Sequence, residues 1–502
     1  MVLVKKFIAD VRGPAGYGSP TAGADQTVIS EYIKATSGPN PVRTALENVI
    51  SELGFVANVK QYGAKGNGTA DDTRAIELAM AAVEAAGGGT VFFPPATYYV
   101  PGVIELVSNV ILTGPGAVLV KKNNTEPSYA FFATHSNGAT GYGSGGRNIR
   151  VDMLEFRGSL TNSRDACAFA LHHAADVIIS GCTIRDMCGL GHVVDLGGCE
   201  DITIRDNTFL GAQNNGSRAE AIQIDLSAVG AVSVLDAPGS YDALPTRRVT
   251  VDNNRFLPLT VGGTKYPAPV PLGSHAVWEG RWYEDISFIN NTVVEPRVHT
   301  GTNPVGIIHF SAIDGLTVSN NRFICKGDFG GRVIGIYSAA SGRAAGDNPN
   351  TNNTHVTFTN PMVAKNINIT NDNYFEGWTS TAAQVVYIDG AEDVDVSGNS
   401  WRGCASMYDI RETDGLTSSG NKFRRAAGTL ASNVVNLNKV TSVAAQGNMI
   451  DCRGAGTISN IVYISNLSAA GRFTGNTVLG QGAGGITQIA GSTLDITGNT
   501  TS

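Results

Sequence analysis

The chain has 502 residues, with 36 Lys and Arg against 43 Asp and Glu, a net charge of −7 and only 16% charged residues. A mildly acidic surface is a poor partner for nucleic acid or an anionic membrane, and no apolar run approaches the ~20 residues that a membrane helix needs. With 61 Gly but only 19 Pro, the composition fits a large folded protein with many tight turns, not a collagen-like or disordered chain.

The N-terminus, MVLVKKFIAD, has no apolar stretch before its charges and does not read as a secretory signal peptide. Within residues 1–55 a loop over 13–18 is followed by two short helices, 27–37 and 42–53. In the second, Val42, Ala45, Leu46, Val49, Ile50 and Leu53 fall at helical spacing. These elements have no core of their own, so they are expected to dock on a partner or on another copy of the chain. The seven Cys form no CxxC pair, which argues against a zinc site or a disulfide framework and for packed, reduced thiols.

Residues 62–76 read Tyr-Gly-Ala-Lys-Gly-Asn-Gly-Thr-Ala-Asp-Asp-Thr-Arg-Ala-Ile, followed by a helix to Ala86 and then Gly87-Gly88-Gly89-Thr90-Val91-Phe92-Phe93-Pro94-Pro95. Asp71 and Asp72 precede the apolar-periodic run Ile76, Ala79, Met80 and Val83, where a carboxylate suits the first helical turn. The triple Gly ends the helix. This segment resembles the N-terminal part of the pectate-lyase-like superfamily of right-handed β-helices, with Asn67 in place of the usual Asp and Ala96 in place of the usual Gly. The resemblance implies an all-β fold, a right-handed parallel β-helix with a capping helix over 71–86 and a helix domain over 56–502. It says little about chemistry, and the Asp pair reads as structural.

From about residue 147 a repeat emerges from the residues themselves. Alternating apolar positions lead into a polar turn, often with Asn, and then another apolar residue. Copies fall at 148–156, 177–184, 202–209, 249–256, 286–293, 316–323, 367–375, 394–401, 416–423, 443–449, 473–478 and 494–500. Self-similarity at this period means a solenoid, and alternation at period two means strands. About a dozen coils over 147–502 follow, with the recurrent Asn stacked as a ladder along the axis.

Counting back seven residues from each copy gives a row of outward positions: Ala170, Asp195, Glu279, His309, Tyr387 and Asp409. The coil with Ala221-Ile222-Gln223-Ile224-Asp225-Leu226 has an insertion behind it; overlaying Ile224-Asp225-Leu226 on Val194-Asp195-Leu196 adds Asp225 to the row. Stacked at about 4.8 Å, Asp195, Asp225 and Glu279 would raise one another's pKa. Neighbouring coils match the carboxyl spacing of a retaining glycosidase, and alternate coils approach that of an inverting one. These three are the candidate catalytic residues, with Glu220, His192, His275, His309 and Arg281 beside them as substrate-binding candidates. Tyr241, Tyr266, Trp282 and Tyr283 are candidate sugar-stacking platforms on or beside the insertions 227–246 and 257–274, and residues 338–364 form a third excursion. His172 and His173 read as structural, and Trp278 as core. No metal site or cofactor is indicated, although an acidic column can hold Ca²⁺.

The leading expectation is a glycoside hydrolase acting on a bacterial surface polysaccharide, in which Asp225→Asn abolishes activity and leaves thermal unfolding nearly unchanged. The alternatives are a polysaccharide lyase, with His275 or His309 as base and Arg281 or a metal against a uronate, a non-catalytic glycan-binding adhesin, or a purely structural spike. The resemblance extends to bacteriophage tailspikes. It implies a homotrimer in a virion tail, attached to a tail or baseplate protein through residues 1–55, with a leaderless extracellular bacterial protein as the other setting. The repeat runs to Asn499, so the last coil is expected to be covered by another subunit or to fray.

Overall fold

The structure, a computed structural model, describes residues 54–122, 130–136, 138–159, 167–187, 192–212, 220–228, 240–297, 306–327, 331–342, 356–379, 384–425, 433–453, 460–465, 471–480, 486–488 and 494–501. Nearly all of the 1–55 segment, with its two short helices, lies outside them.

Each regular coil is three strands, as in Val194–Gly197, Glu200–Arg205 and Thr208–Ala212. Along the solenoid each strand pairs in parallel with its counterparts in the coils before and after, for example Ile202 with Val249 and Ile204 with Val251. Among the described residues, the first and second strands of the coils run together in a 26-stranded sheet, and the third strands form a 15-stranded sheet. Twelve of those fifteen carry the repeat legible in the sequence. The other three, Asn67–Asp71, Ala96–Tyr99 and Ala117–Val120, precede it. The fold is therefore the expected parallel β-helix.

The interior is built from columns of one residue per coil. Phe209, Phe256, Phe288, Phe323, Phe375 and Trp401 stack in succession with ring centroids 4.7 to 6.1 Å apart. Such rings combine large buried area with favourable ring–ring geometry. At the turn before the third strand the Asn ladder runs from Asn207 to Asn499. The backbone N–H of Asn254 donates to Oδ1 of Asn291 at 2.8 Å, and its Nδ2 donates to the same oxygen and to the Ile204 carbonyl. The side chains thus satisfy turn amides and carbonyls that no strand reaches, a need that burial makes obligatory. The residue before each ladder Asn is left-handed, as at Asp206, Asn253 and Gly420, which is why Asn, Asp or Gly stands there.

The capping helix is Thr73–Ala85, burying Ile76, Ala79, Met80 and Val83. The carboxylate of Asp72 accepts from the amides of Lys65 at 2.6 Å and Gly66 at 3.1 Å, and that of Asp71 from Thr73 at 2.9 Å. Both acids are structural, and Asp72 ties down the preceding loop instead of capping the helix. At the far end Gly89 adopts φ +148°, and a Cβ there would sit 2.2 Å from the Phe55 carbonyl oxygen. Cys167, Cys182, Cys199, Cys325, Cys404 and Cys452 are free and buried. Burial pushes the thiols of Cys182, Cys199, Cys404 and Cys452 up to about 12. No helix among the described residues is long and apolar enough to cross a membrane.

Two excursions are hairpins. Leu259–Val261 pairs antiparallel with Thr264–Tyr266, and Ala339–Gly342 with Val356–Met362. The second packs on the body through Ala339 and Met362, which cluster with Val277 and Ala312.

Candidate functional site

The site lies on the first face and begins with a corner in the backbone. Where each coil enters its first strand, two consecutive residues both point into the core: Val193-Val194, Ala221-Ile222, Ile307-Ile308. This double inward step reverses the alternation, so the residues before it, His192 and Glu220, point outward along with those after it, Asp195 and Gln223. The register pairs Ala170 with Asp195, Asp195 with Gln223, Gln223 with Gly273, Gly273 with His309 and His309 with Gly335. Tyr387 and Asp409 continue the row.

This register corrects the carboxylate column. Gln223, not Asp225, stacks on Asp195, and Asp225 pairs with Gly197 two residues along. In the next coil the first strand is Val270–Gly273, so the row there holds Gly273. Glu279 and Arg281 are exposed on a turn closed by a bridge between Trp278 and Arg281. Asp195 and His309 keep their predicted places in the row; Glu279 and Asp225 leave it.

The first face instead converges on Glu220, whose side chain is fully buried. Nε2 of His275 lies 2.9 Å from Oε2, Nε2 of His309 3.0 Å from Oε1, and Nδ1 of His192 3.5 Å from Oε2. Burial alone would raise the carboxyl pKa, but His275 and His309 outweigh it and hold Glu220 well below the usual carboxylate range. For His192 burial dominates over the pull of Glu220 and brings the imidazole down to about 4. Its Nδ1 also lies 3.1 Å from the Glu220 backbone carbonyl. His309 directs Nδ1 to the Gly306 carbonyl at 2.9 Å. Its ring lies across the adjacent coil, where a Cβ on Gly273 would come within 2.5 Å of it. The bare backbone at Gly273 is what lets His309 reach Glu220.

Asp225 is buried and encircled by donors. Its Oδ1 accepts from the amides of His275 at 3.0 Å and Ala276 at 2.8 Å and from the Tyr283 hydroxyl at 2.9 Å. The Gln223 amide donates to Oδ2. Burial raises the Asp225 pKa despite these bonds, and it pushes the Tyr283 hydroxyl well up. Asp225 therefore anchors the start of the turn that carries His275. Asp195 is also buried, at 1% exposure.

The proposed aromatic platforms divide. Tyr241 is buried, its ring 4.9 Å from that of His172, and Tyr283 is buried on Asp225, so neither offers a face to a sugar. Trp282 is half-buried; its Nε1 donates to the Val363 carbonyl at 3.0 Å, and Lys365 lies over its ring. Tyr266 is half-buried on the first hairpin, and half-buried Trp278 packs against the core. His172 and His173 are structural as expected: His172 pairs with Ser227 at 2.8 Å and His173 with Asp242 at 2.9 Å, pinning the 227–246 insertion to the solenoid.

What the arrangement offers chemically is one buried anion shared by three imidazoles, of which His275 is the most accessible, with 24% of its side chain exposed. The sequence marked all four residues as candidates, but not that Glu220 is the partner the three imidazoles share. One ring nitrogen each of His192 and His275 and a carboxylate oxygen of Glu220 lie within 4.8 Å of one another, a donor set suited to a metal ion.

Residues 56–164 match the family model described as rhamnogalacturonase A/epimerase, pectate lyase-like. The chain is similar to the plasmin and fibronectin-binding protein A of Streptococcus pneumoniae, 26% identical over 293 residues, which cover 53% of this chain and 39% of that protein. It is 46% identical over 69 residues to the pre-neck appendage protein of Bacillus phage phi29, covering 14% of this chain and 8% of that protein. The chain thus spans well under two thirds of either relative. Among solved structures, the catalytic unit of a thermostable GH87 alpha-1,3-glucanase from Streptomyces thermodiastaticus superposes with a TM-score of 0.50 at 17% identity, over 89% of this chain and 68% of that one. The chain thus has the right-handed parallel β-helix fold, and its residues 56–164 carry the match to a pectate lyase-like family model.

Proposed function

We propose that this protein is a phage-appendage-type spike that binds a bacterial surface polysaccharide along the first face and cleaves it by imidazole-driven elimination at a uronate. The observation that carries the reading is the Glu220 cluster. A carboxylate on one ring nitrogen orients an imidazole and stabilises its protonated form, leaving the other nitrogen as general base. His275 has Nε2 2.9 Å from Oε2 of Glu220 and 24% of its side chain exposed, and is the candidate for this role. Hydrolysis is disfavoured because it needs a carboxylic acid that reaches the leaving oxygen. Asp195, Glu220 and Asp225 are each no more than 1% exposed, Asp225 is saturated with hydrogen bonds, and the exposed Glu279 lies outside the row, which holds Gly273 in its coil.

In the elimination, His275 takes the proton on the carbon next to the uronate carboxylate. The electron pair forms a carbon–carbon double bond, and the glycosidic carbon–oxygen bond breaks with its electrons leaving on oxygen, which is then protonated. Arg281, exposed on the Trp278–Arg281 turn six residues after His275, is the cation for the uronate carboxylate. The pectate lyase-like match over residues 56–164 and the phage appendage relative support a glycan substrate and a setting on a virion or an extracellular surface. Trimeric assembly and attachment through residues 1–55 belong to the same reading.

The test is a product assay on uronate-containing and neutral envelope polysaccharides, with wild type and His275→Ala. Elimination predicts new chain ends that absorb in the ultraviolet, abolished in the variant. New reducing ends without absorbance would return the protein to the hydrolases. Binding of a polysaccharide without any product would make it an adhesin.

A further inference from the structure

We infer that His192, Glu220 and His275 form a binding site for a divalent first-row transition ion, and that the ion silences the site by taking the place of the proton shared between His275 and Glu220. The silencing half rests on the reading of His275 as base; the metal site does not.

The donor set is two imidazoles and one carboxylate, the grouping used by thermolysin-type zinc sites and by facial-triad iron sites. It contrasts with the six to eight oxygens that Ca²⁺ takes. A tetrahedral ion with bonds of about 2.0–2.1 Å holds its ligand atoms roughly 3.3 Å apart. Here Glu220 Oε2 lies 2.9 Å from His275 Nε2 and 3.5 Å from His192 Nδ1, and the three donor atoms lie within 4.8 Å of one another. His309, 3.0 Å from the other carboxylate oxygen, is the outer partner that orients such a ligand. The carboxylate is at the floor and the partly exposed edge of His275 faces outward, so the fourth position opens toward the polysaccharide face. With Nε2 on the ion, the His275 ring carries its proton on Nδ1 and cannot accept another.

The experiment uses the full chain freed of metal by chelation. Zn²⁺ binding is measured by calorimetry, and Co²⁺ binding by its visible absorption. Wild type is expected to bind one ion per chain, with the intense absorption of a low-coordinate Co²⁺ site. His275→Ala and His192→Ala should each lower affinity at least a hundredfold, and His309→Gln by roughly 10- to 100-fold. Unfolding curves without metal identify any variant that fails to fold, and the His275 variant, altered on a turn, is the one expected to keep its fold. No stoichiometric binding at micromolar Zn²⁺, or binding unchanged in folded His275→Ala, would overturn the metal site. Added Zn²⁺ should also suppress polysaccharide cleavage, with chelator restoring it; cleavage at full rate with the site loaded would overturn the silencing. If the metal-free protein cleaves polysaccharide but binds no ion, the metal inference falls and the elimination reading stands. If it binds the ion but cleaves nothing, the metal site stands and the elimination reading falls.

Discussion

Replacing Asp225 separates an anchoring role from a chemical one. In Asp225→Ala the amides of His275 and Ala276 lose their acceptor, and the Tyr283 hydroxyl keeps only the Ala276 carbonyl. Each buried polar group left unpaired costs about 1–3 kcal/mol, so the expected loss for the two amides is about 2–6 kcal/mol. Asp225→Asn keeps an oxygen for the same three donors and loses only the match to the Gln223 amide, which a turn of Gln223 restores; the expected loss is about 1–2 kcal/mol. Activity should follow the same order. Once the His275 amide is released, its ring leaves Glu220, and a displacement of about 1 Å at a reacting group can cost roughly a hundredfold in rate. Chemical unfolding and the product assay, run on both variants, check this. An unfolding midpoint for Asp225→Ala equal to wild type would refute the anchor. A natively stable Asp225→Asn with no activity would refute the assignment of chemistry to His275, and would restore the expectation first drawn from the sequence.

Three further outcomes are expected. Gly273→Ala brings a Cβ within 2.5–2.8 Å of the His309 ring; it should displace His309 from Glu220 and lower activity at least tenfold at modest cost in stability, and an unaffected rate would show that His309 is dispensable. Asn321→Ala removes the acceptor of the Asn291 amide at 2.8 Å and the donor to the Phe288 carbonyl at 2.8 Å, so unfolding should be destabilised by about 2–5 kcal/mol with the isolated ladder below and above it intact; a change under 1 kcal/mol in denaturant titrations would mean that water replaces the side chain. Burial works against ionisation of Asp242, but hydrogen bonds from His173 and from the amides of Gly141 and Leu244 bring its carboxyl down to about 2. Because the folded value is depressed, its stabilisation is complete above about pH 4 and is lost as the pH falls through about 2. Discounted for solvent screening this is about 1 kcal/mol, and Asp242→Asn should flatten that part of the stability–pH curve; an unchanged slope in acid unfolding would contradict it.

The regular coils were legible because each repeats alternating apolar residues into a polar turn, and from Asp206-Asn207 onward the turn adds a left-handed residue and the ladder Asn that follows it. Asp206-Asn207, Asn253-Asn254 and Gly420-Asn421 are written the same way although their coils differ in length. The three coils before residue 147 lack the ladder Asn, and they show in the sequence only as part of the family-like segment. At the site, register was the missing quantity. Ile222-Gln223-Ile224 and Ile224-Asp225-Leu226 are both apolar-polar-apolar, so a shift of two residues preserves every face and leaves the alternation unable to choose. Between His275 and Trp282 the error has another source: counting back from the second strand assumes a turn of fixed length, and here a longer excursion stands in its place. Glu220 stood among the substrate-binding candidates, but its central place was not legible, because its side chain points outward only through the double inward step of Ala221-Ile222, which reverses the period-two count.

The coils where counting failed are the coils that hold the site, and the solenoid itself supplies the reason. In a parallel β-helix the neighbouring coils satisfy the backbone of each strand, so outward side chains and turn lengths are free to vary without loss of the fold. A carboxylate can be buried on the outward face only if something covers it and something pairs with it. Asp242 is bound by His173, and the start of the His275–Trp282 excursion is bound by Asp225, so chain outside the regular repeat is tied to the solenoid at both places. Gly273 removes the one side chain that would separate His309 from Glu220. Each of these departures from the repeat would be a defect in a structural spike. Those at Gly273, at Ala221-Ile222 and at the start of the His275 excursion bring the buried Glu220 carboxylate together with three imidazoles, the kind of local departure from a regular scaffold that marks a site.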